Sequence, residues 1–292
     1  MTGKDNTWLK RFRAAFAGRA EKDGGAVCIE GSRLVEEALR SAIPLDAILV
    51  SESGRKHLAR ISPMLASAPR LLATSDRIFE SLADTETPQG IAALVRPRRA
   101  SFDDLLRGPR APLVVVLVGI QDPGNVGTIL RTAEALGASG VAACKSDSLG
   151  TAHIFSPKVI RASAGAAFRF PVVDGLSLPI LRAQLRVAAV RVIAASSQIS
   201  AADALAPWQA DLRGPVAIFI GNEGAGLPPE VERAADARVR IPLAAPHGLG
   251  GGSVESLNAA TAAAVLLYEA ARQRFGTGVP EVNLGREMGA GS

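Results

Sequence analysis

Leu113-Val114-Val115-Val116-Leu117-Val118 runs directly into Gly119-Ile120-Gln121-Asp122-Pro123-Gly124-Asn125-Val126-Gly127-Thr128-Ile129-Leu130-Arg131. The first segment is apolar without alternation, the pattern required of a strand covered on both faces. The second reads as turn and helix. Pro123-Gly124 makes the turn, Asn125 stands where an N-cap is wanted, and Val126, Ile129, Leu130 and Ala133 recur at helical spacing while Arg131 falls on another side. Similar apolar runs at 141–143, 187–194, 215–220 and 238–242 predict further strands. A last helix is expected over 255–275, with Leu257, Thr261, Ala264 and Tyr268 on one face and Gly276 as its stop. The fold class implied is α/β, with a mostly parallel sheet flanked by helices.

Upstream, residues 27–95 read as a smaller α/β unit. Ser32 is expected to cap a helix ending at Arg40, a strand follows at 45–50, and a second strand at 71–73 leads to Ser75 or Asp76 as the cap of a helix to Leu82. A third strand is expected at 91–95. Arg96-Pro97-Arg98-Arg99 through Arg110-Ala111-Pro112 has the proline and charge content of a linker, which places the domain boundary at 96–112. Residues 1–26 form an N-terminal extension, 113–276 the larger domain, and 277–292 a tail without periodicity.

Composition narrows the function. With 292 residues and 48% hydrophobic content, the chain can bury a full core. No apolar run reaches the roughly 18 residues of a membrane helix. The N-terminus has Lys10, Arg11, Arg13 and Arg19 but no apolar core of a secretory signal. Cys28 and Cys144 lie in apolar surroundings, arguing against a disulfide framework or a zinc site and suiting a reducing cytoplasm. A formal charge of +5 favours a polyanionic partner. The excess is carried by arginine, which codon usage can also produce, and aromatics are too sparse at 4% for a stacking platform.

Three glycine-bearing loops follow predicted strands. The first is the loop at Gly119 to Asn125; it has neither the dinucleotide-binding glycine spacing nor the lysine of a P-loop. The second is Gly221-Asn222-Glu223-Gly224-Ala225-Gly226-Leu227-Pro228, in which glycines admit close backbone approach beside a carboxylate. The third holds Gly248, Gly250, Gly251 and Gly252 and leads to Ser253-Val254-Glu255-Ser256-Leu257-Asn258. Each alone could be a capped helix or a sharp turn. At the carboxyl edge of one parallel sheet, the three are better explained by a shared pocket.

These segments resemble the three motifs of the SPOUT superfamily, in its SpoU or TrmH branch of RNA ribose 2′-O-methyltransferases. Asn125, Arg131 and Glu134 match the first motif, Gly221, Asn222, Glu223 and Gly226 the second, and Ser256, Leu257 and Asn258 the third. Phe155-Ser156-Pro157-Lys158-Val159-Ile160-Arg161-Ala162-Ser163-Ala164-Gly165 is similar to the branch as well, and Ser156-Pro157 reads independently as an N-cap with a first-turn proline. Less specifically, Glu30-Gly31-Ser32 through Ala38 and Thr87-Pro88-Gln89-Gly90 resemble the accessory substrate-binding domain of ribosomal-RNA members.

The resemblance implies a C-terminal trefoil knot, a homodimer, and S-adenosyl-L-methionine as cofactor. It implies cofactor contacts at Gly221, Asn222, Gly226, Ile241, Leu243, Ser256, Leu257 and Asn258. It also implies a catalytic set of Arg131, Asn125, Glu223, Ser256 and Asn258, with no metal. Arg131 is expected to orient the acceptor and stabilise charge, because a guanidinium is a reluctant base. The substrate implied is structured RNA, ribosomal RNA first and transfer RNA second, chosen by the domain at 27–95. The longer glycine-rich loop at 243–253 departs from the pattern, and its His247 is read as decoration. A base methyltransferase of the same superfamily fits the Asn-Arg and Ser-Leu-Asn pairs less well. A noncatalytic RNA-binding module would have no use for this side-chain set, and an oxidoreductase would need the missing dinucleotide fingerprint.

Overall fold

The computed structural model describes residues 7–19, 25–65, 69–83, 85–146, 149–197, 203–244 and 255–275. Its first sheet has four strands in the order β1-β4-β2-β3, with β1 at Val27–Glu30, β2 at Leu45–Val50, β3 at Arg70–Ala73 and β4 at Ile91–Val95. β4 is antiparallel to β1 and β2, whereas β2 and β3 are parallel. β4 lies between two neighbours, and all of its residues are buried.

Helix α2 (Ser32–Arg40) covers one face of this sheet through Val35 and Ala38, while α3 (Arg55–Ile61) contributes Ile61 to the same core. α1 (Thr7–Phe16) and α4 (Asp76–Glu80) cover the other. The stretch read as an N-terminal extension therefore contains a structural helix. Leu9, Phe12 and Phe16 lie at helical spacing and are buried, and Phe16 meets the Phe79 ring edge-on at 6.2 Å. Without α1, Cys28, Leu49 and Leu94 would lose their cover.

Ser32 does not take the capping role expected of it. Gly31 occupies the N-cap position at φ 96°, a conformation costly for any residue with a Cβ, and Ser32 N and Oγ both donate to Gln89 Oε1 at 2.9 and 3.1 Å. Two segments 57 residues apart are thereby tied together. Ser75 does cap α4, accepting from Ile78 N. The arginine-rich stretch 96–112 carries helix α5 (Phe102–Leu106), closed by a reciprocal Ser101–Asp104 cap, with Leu105 buried.

The second sheet has seven strands in the order β11-β9-β10-β5-β6-β7, with β8 also paired to β6. They are β5 (Leu113–Val118), β6 (Gly140–Ser146), β7 (Leu149–Gly150), β8 (Val172–Ser177), β9 (Arg191–Ala195), β10 (Val216–Gly221) and β11 (Ala237–Val239). All pairings are parallel except that of the short β7. The unalternating β5 is buried along its whole length, as its composition requires. The helices are α6 (Pro123–Ala135), α7 (Pro157–Ala162), α8 (Ala166–Arg169), α9 (Leu178–Val187), α10 (Pro229–Arg233) and α11 (Ala259–Phe275). One apolar cluster runs without interruption from Val27, Ile29 and Val35 through Val159 and Ile160 to Ile129, Ile218 and Leu266, joining the two sheets.

Three boundaries differ from expectation. The strand read at 187–194 begins only at Arg191, because 178–187 is helical, with Leu181 and Leu185 buried and Val187 89% exposed. β11 stops at Val239, so Ile241 lies in the loop beyond it. α11 starts at Ala259 rather than 255, and the face that packs is Ala259, Ala263, Leu266, Leu267 and Ala270; Thr261 and Tyr268, placed on the apolar face by the sequence, point outward. A helix rich in alanine has small residues on every side, so periodicity alone does not choose its buried face.

The strand order also explains how the loops meet. The chain passes from β10 across β9 to β11 at the sheet edge, then returns so that α11 packs on α6. Residues 245–254, which include His247, lie outside the described residues, as does any threading of the implied knot. Cys28 and Cys144 are buried free thiols; burial, ahead of the Asp174 charge, pushes Cys144 up to about 12. Among the described residues no helix is long and apolar enough to cross a membrane.

Candidate active site

At the carboxyl edge of β5 and β10, three loops bring four polar side chains into one hydrogen-bonded series. Asn258 Nδ2 donates to Asn125 Oδ1 at 3.0 Å, and Asn125 Nδ2 donates to Glu223 Oε1 at 2.6 Å. Asn222 Nδ2 bridges Glu223 Oε2 at 3.4 Å and the Gly119 carbonyl at 2.8 Å. Both ends fix the polarity of the series. A carboxylate only accepts, so the Asn125 amide must turn its NH2 to Glu223; backbone N–H groups only donate, and those of Ala260 and Thr261 hold Asn258 Oδ1 at 2.9 and 3.3 Å. Asn258, not Ser256, therefore supplies the side-chain cap of α11.

Asn125 is not the cap of α6. Asp122 is, accepting from Gly124 N at 2.9 Å with Pro123 in the first turn, which frees the Asn125 amide, one turn in, to face Glu223. The carboxamide sits at 9% exposure, so its partners are obligatory rather than incidental. Ser156 caps α7 as expected, and Gly127 lets α7 approach α6 closely: a Cβ there would stand 2.4 Å from that of Ala162.

Beside this series lies a cleft walled by Ile220, Gly221, Ile241, Leu243, Leu257 and Ala262, with Glu223, Ser256, Asn222 and Gly226 also on its lining. The walls are aliphatic and small, and Glu223 and Glu255 bring carboxylates to the lining while Arg240 brings a guanidinium. An adenosyl group fits such walls, and a sulfonium cation suits the carboxylates, so the residues present match S-adenosylmethionine. Gly221 has a stricter reason to be glycine than ligand access. Asn222 and Gly226 exchange backbone hydrogen bonds at 3.0 and 2.9 Å, closing the loop so tightly that a Cβ on Gly221 would stand 2.3 Å from the Gly226 carbonyl carbon.

Arg131 stands apart from the series. It is exposed on α6, and among the described residues it has no hydrogen-bond or ion-pair partner. Six residues beyond Asn125, it is about 9 Å along the helix axis and on another side. Glu134 turns away from the cleft, forming a two-pronged pair with Arg169 at 2.7 Å for each contact, and Arg169 also reaches Glu37 of α2 at 3.0 Å. Ser256 lines the cleft without capping a helix. The sequence reading missed Ser196 and Ser197, which enter the cleft from the end of β9. Their only signal was the end of an apolar run, and that run acquires meaning once β9 is known to lie beside β10. Among the described residues no group of three or more His, Cys, Asp or Glu side chains could hold a metal ion.

Comparison with known proteins gives this geometry a family. Residues 112–268 match the SpoU rRNA Methylase family, and residues 10–93 match an MRM3-like substrate binding domain. The 23S rRNA (guanosine(2553)-2'-O)-methyltransferase RlmP of Bacillus subtilis is 34% identical over 263 residues, 90% of this chain and 95% of its own. A Synechocystis tRNA/rRNA methyltransferase is 32% identical over 96% of each chain. Among solved structures, the AdoMet-bound rRNA methyltransferase from Sinorhizobium meliloti superposes with a TM-score of 0.77 at 27% identity, covering 93% of this chain and 97% of that one. The SpoU methyltransferase AviRb from Streptomyces viridochromogenes, in complex with AdoMet, gives 0.74 at 25% identity over 92% and 99%. By the family match over more than half of its length and by near full-length relatives above 30% identity, the chain belongs to the SpoU rRNA methylase family.

Proposed function

We propose that this protein transfers the methyl group of S-adenosylmethionine to a ribose 2′-hydroxyl of ribosomal RNA. The observation that carries the reading is the Asn258–Asn125–Glu223 series beside an aliphatic, carboxylate-bearing cleft. The cofactor, once bound, supplies an electrophilic methyl on a sulfonium. The protein's task is then to hold a weakly nucleophilic hydroxyl in line and to accommodate the charge that develops there, a matter of position and field. Glu223, its oxygens already held by Asn125 and Asn222, faces the cleft in a fixed orientation. Arg131, exposed and unpaired among the described residues, is available to grip the phosphate beside the acceptor ribose.

The reading includes a homodimer through α11. Tyr268 and Val265 on its outer face are 64% and 37% exposed, and Trp208, in the short turn 207–209 that packs against α11, is 62% exposed. Large apolar groups left exposed in this way suit a contact surface. It also assigns residues 27–95, extended by α1, to substrate choice and 113–276 to chemistry, and places the protein in the cytoplasm with its RNA.

The decisive experiment incubates the full-length protein with tritiated S-adenosylmethionine and ribosomal RNA from cells lacking it, then maps the labelled nucleotide by digestion and mass spectrometry. Label on a ribose is expected. Label on a base, or none on ribosomal RNA while transfer RNA is labelled, would replace the proposal.

A further inference from the structure

A second cavity, of about 510 Å3, opens on the β6 side of β5, across the Gly119–Ile120 loop from the cofactor cleft. The loop is held from both directions. On one side Asn222 Nδ2 donates to the Gly119 carbonyl; on the other, Thr151 Oγ1 accepts from Gly119 N at 3.1 Å and donates to the Cys144 carbonyl at 2.7 Å, while Ala152 N donates to the Ile120 carbonyl at 2.7 Å. The cavity is thus linked to the candidate active site through Thr151 and the Gly119–Ile120 loop, and Val27 on its lining places it at the junction with the first sheet.

Its lining combines three kinds of recognition: aromatic rings, a carboxylate and a guanidinium. His153 and Phe155 present rings at 6.2 Å in an edge-to-face pair, His153 exposed and Phe155 half-buried. Asp174 comes from β8, where Val172 and Asp174 share one face and Val173 the other, so the strand's alternation delivers a carboxylate to the same side as Val172. Arg99 reaches it from the stretch joining the two sheets. Among the described residues neither Asp174 nor Arg99 has an ion-pair or hydrogen-bond partner, so both charged heads remain available to a ligand. The volume lies within the roughly 300–1,000 Å3 of small-ligand sites.

We propose that this cavity receives an unpaired guanine of the RNA substrate, with Asp174 reading its edge, the His153–Phe155 pair stacking against it and Arg99 holding an adjacent phosphate. The inference rests on the RNA reading given above. A carboxylate only accepts, and guanine alone among the four bases offers two adjacent donors, N1–H and the N2 amino group, to its two oxygens. Uracil sets one N–H between two carbonyls that a carboxylate repels, and adenine and cytosine pair their amino group with a ring acceptor. Recognition of splayed bases by ring stacking and edge hydrogen bonds is how RNA sequence is read outside duplexes.

The test is equilibrium binding of the four nucleoside 5′-monophosphates to the full-length protein by calorimetry, with Asp174→Asn and Arg99→Ala, both at exposed positions where a substitution costs the fold little. GMP should bind most tightly. Asp174→Asn should remove that preference, about tenfold, whereas Arg99→Ala should weaken all four together. With a 23S ribosomal RNA transcript, Asp174→Asn should raise KM about tenfold at unchanged kcat and unchanged S-adenosylmethionine affinity. Equal binding of all four nucleotides to the unaltered protein, or an Asp174→Asn variant identical to it in GMP affinity and KM, would overturn the assignment. GMP preference lost in Asp174→Asn, in a protein that methylates no RNA, would uphold the cavity and remove the methyltransferase reading instead.

Discussion

Asn125 is buried, accepts from Asn258 and donates to Glu223, so its amide is the hinge of the polar series at the site. Asn125→Ala would leave the Asn258 amide and one Glu223 oxygen without their partners, at a cost of about 1–3 kcal/mol in stability. It should also lower kcat by roughly 10²-fold, as loss of one preorganised polar group does. Chemical denaturation and single-turnover methylation would measure the two effects. Full activity would mean that the series is purely structural. Arg131→Ala should behave in the opposite way: exposed and without a partner, the side chain contributes within about ±0.5 kcal/mol to stability, while its loss should reduce methylation by 10² or more at unchanged cofactor affinity. Gly221→Val, by contrast, meets the Gly226 backbone before it meets any ligand, so it should lower the melting temperature as well as cofactor binding.

At the scale of elements, α11 joins three roles on separate faces. Its capping residue, Asn258, faces the site, Ala263, Leu266 and Ala270 pack inward, and Val265 and Tyr268 face out. If the outer face is the contact between two copies, Tyr268→Glu together with Val265→Glu should convert a dimer to a monomer in light scattering while far-UV circular dichroism is unchanged. A charge in an apolar interface is strongly disfavoured, but at exposed positions of a folded subunit it costs little. Unchanged dimer mass in the double variant would place the interface elsewhere. The helix was legible in the sequence as an element; its facing was not, because alanine supplies small residues on every side and the choice among faces falls to α6 and β10, far away in the chain.

For the whole molecule, Arg169 is the polar counterpart of the shared apolar core. It pairs with Glu134 of α6 and Glu37 of α2, joining the helix that carries Asn125 to the first sheet's helix. Arg169→Leu should lower stability by about 2 kcal/mol, since two partly buried carboxylates lose charged hydrogen bonds. The loss should show as an earlier denaturant midpoint with an unchanged slope, and a shift of no more than experimental error would count against the clasp. Because Val159 and Ile160 of α7 pack in one cluster with Val27 and Ile29 of β1, cutting the chain near residue 110 would uncover apolar surface. Point substitutions in the full chain are therefore the sound way to separate substrate choice from chemistry.

The resemblance to the SpoU branch pointed to Asn125, Glu223 and Asn258; the sequence by itself determined the α/β class, the central strands and the glycine-bearing loops. These are local properties: an unalternating apolar run can only be a covered strand or a buried helix, and Gly and Pro mark where such runs must turn. Tertiary structure decided that Asp122 rather than Asn125 caps α6, that Asn258 caps α11, and that Ser196 and Ser197 enter the cleft from β9. It also decided that α1 belongs to the first sheet's core and that Glu134 serves the Arg169 clasp rather than the cleft. For the two helix caps the physical reason is the same. A polar side chain near a helix start has several partners within reach, and which one it takes depends on the strand order, through which β10 stands beside β5 and the chain returns from β11 to lay α11 on α6.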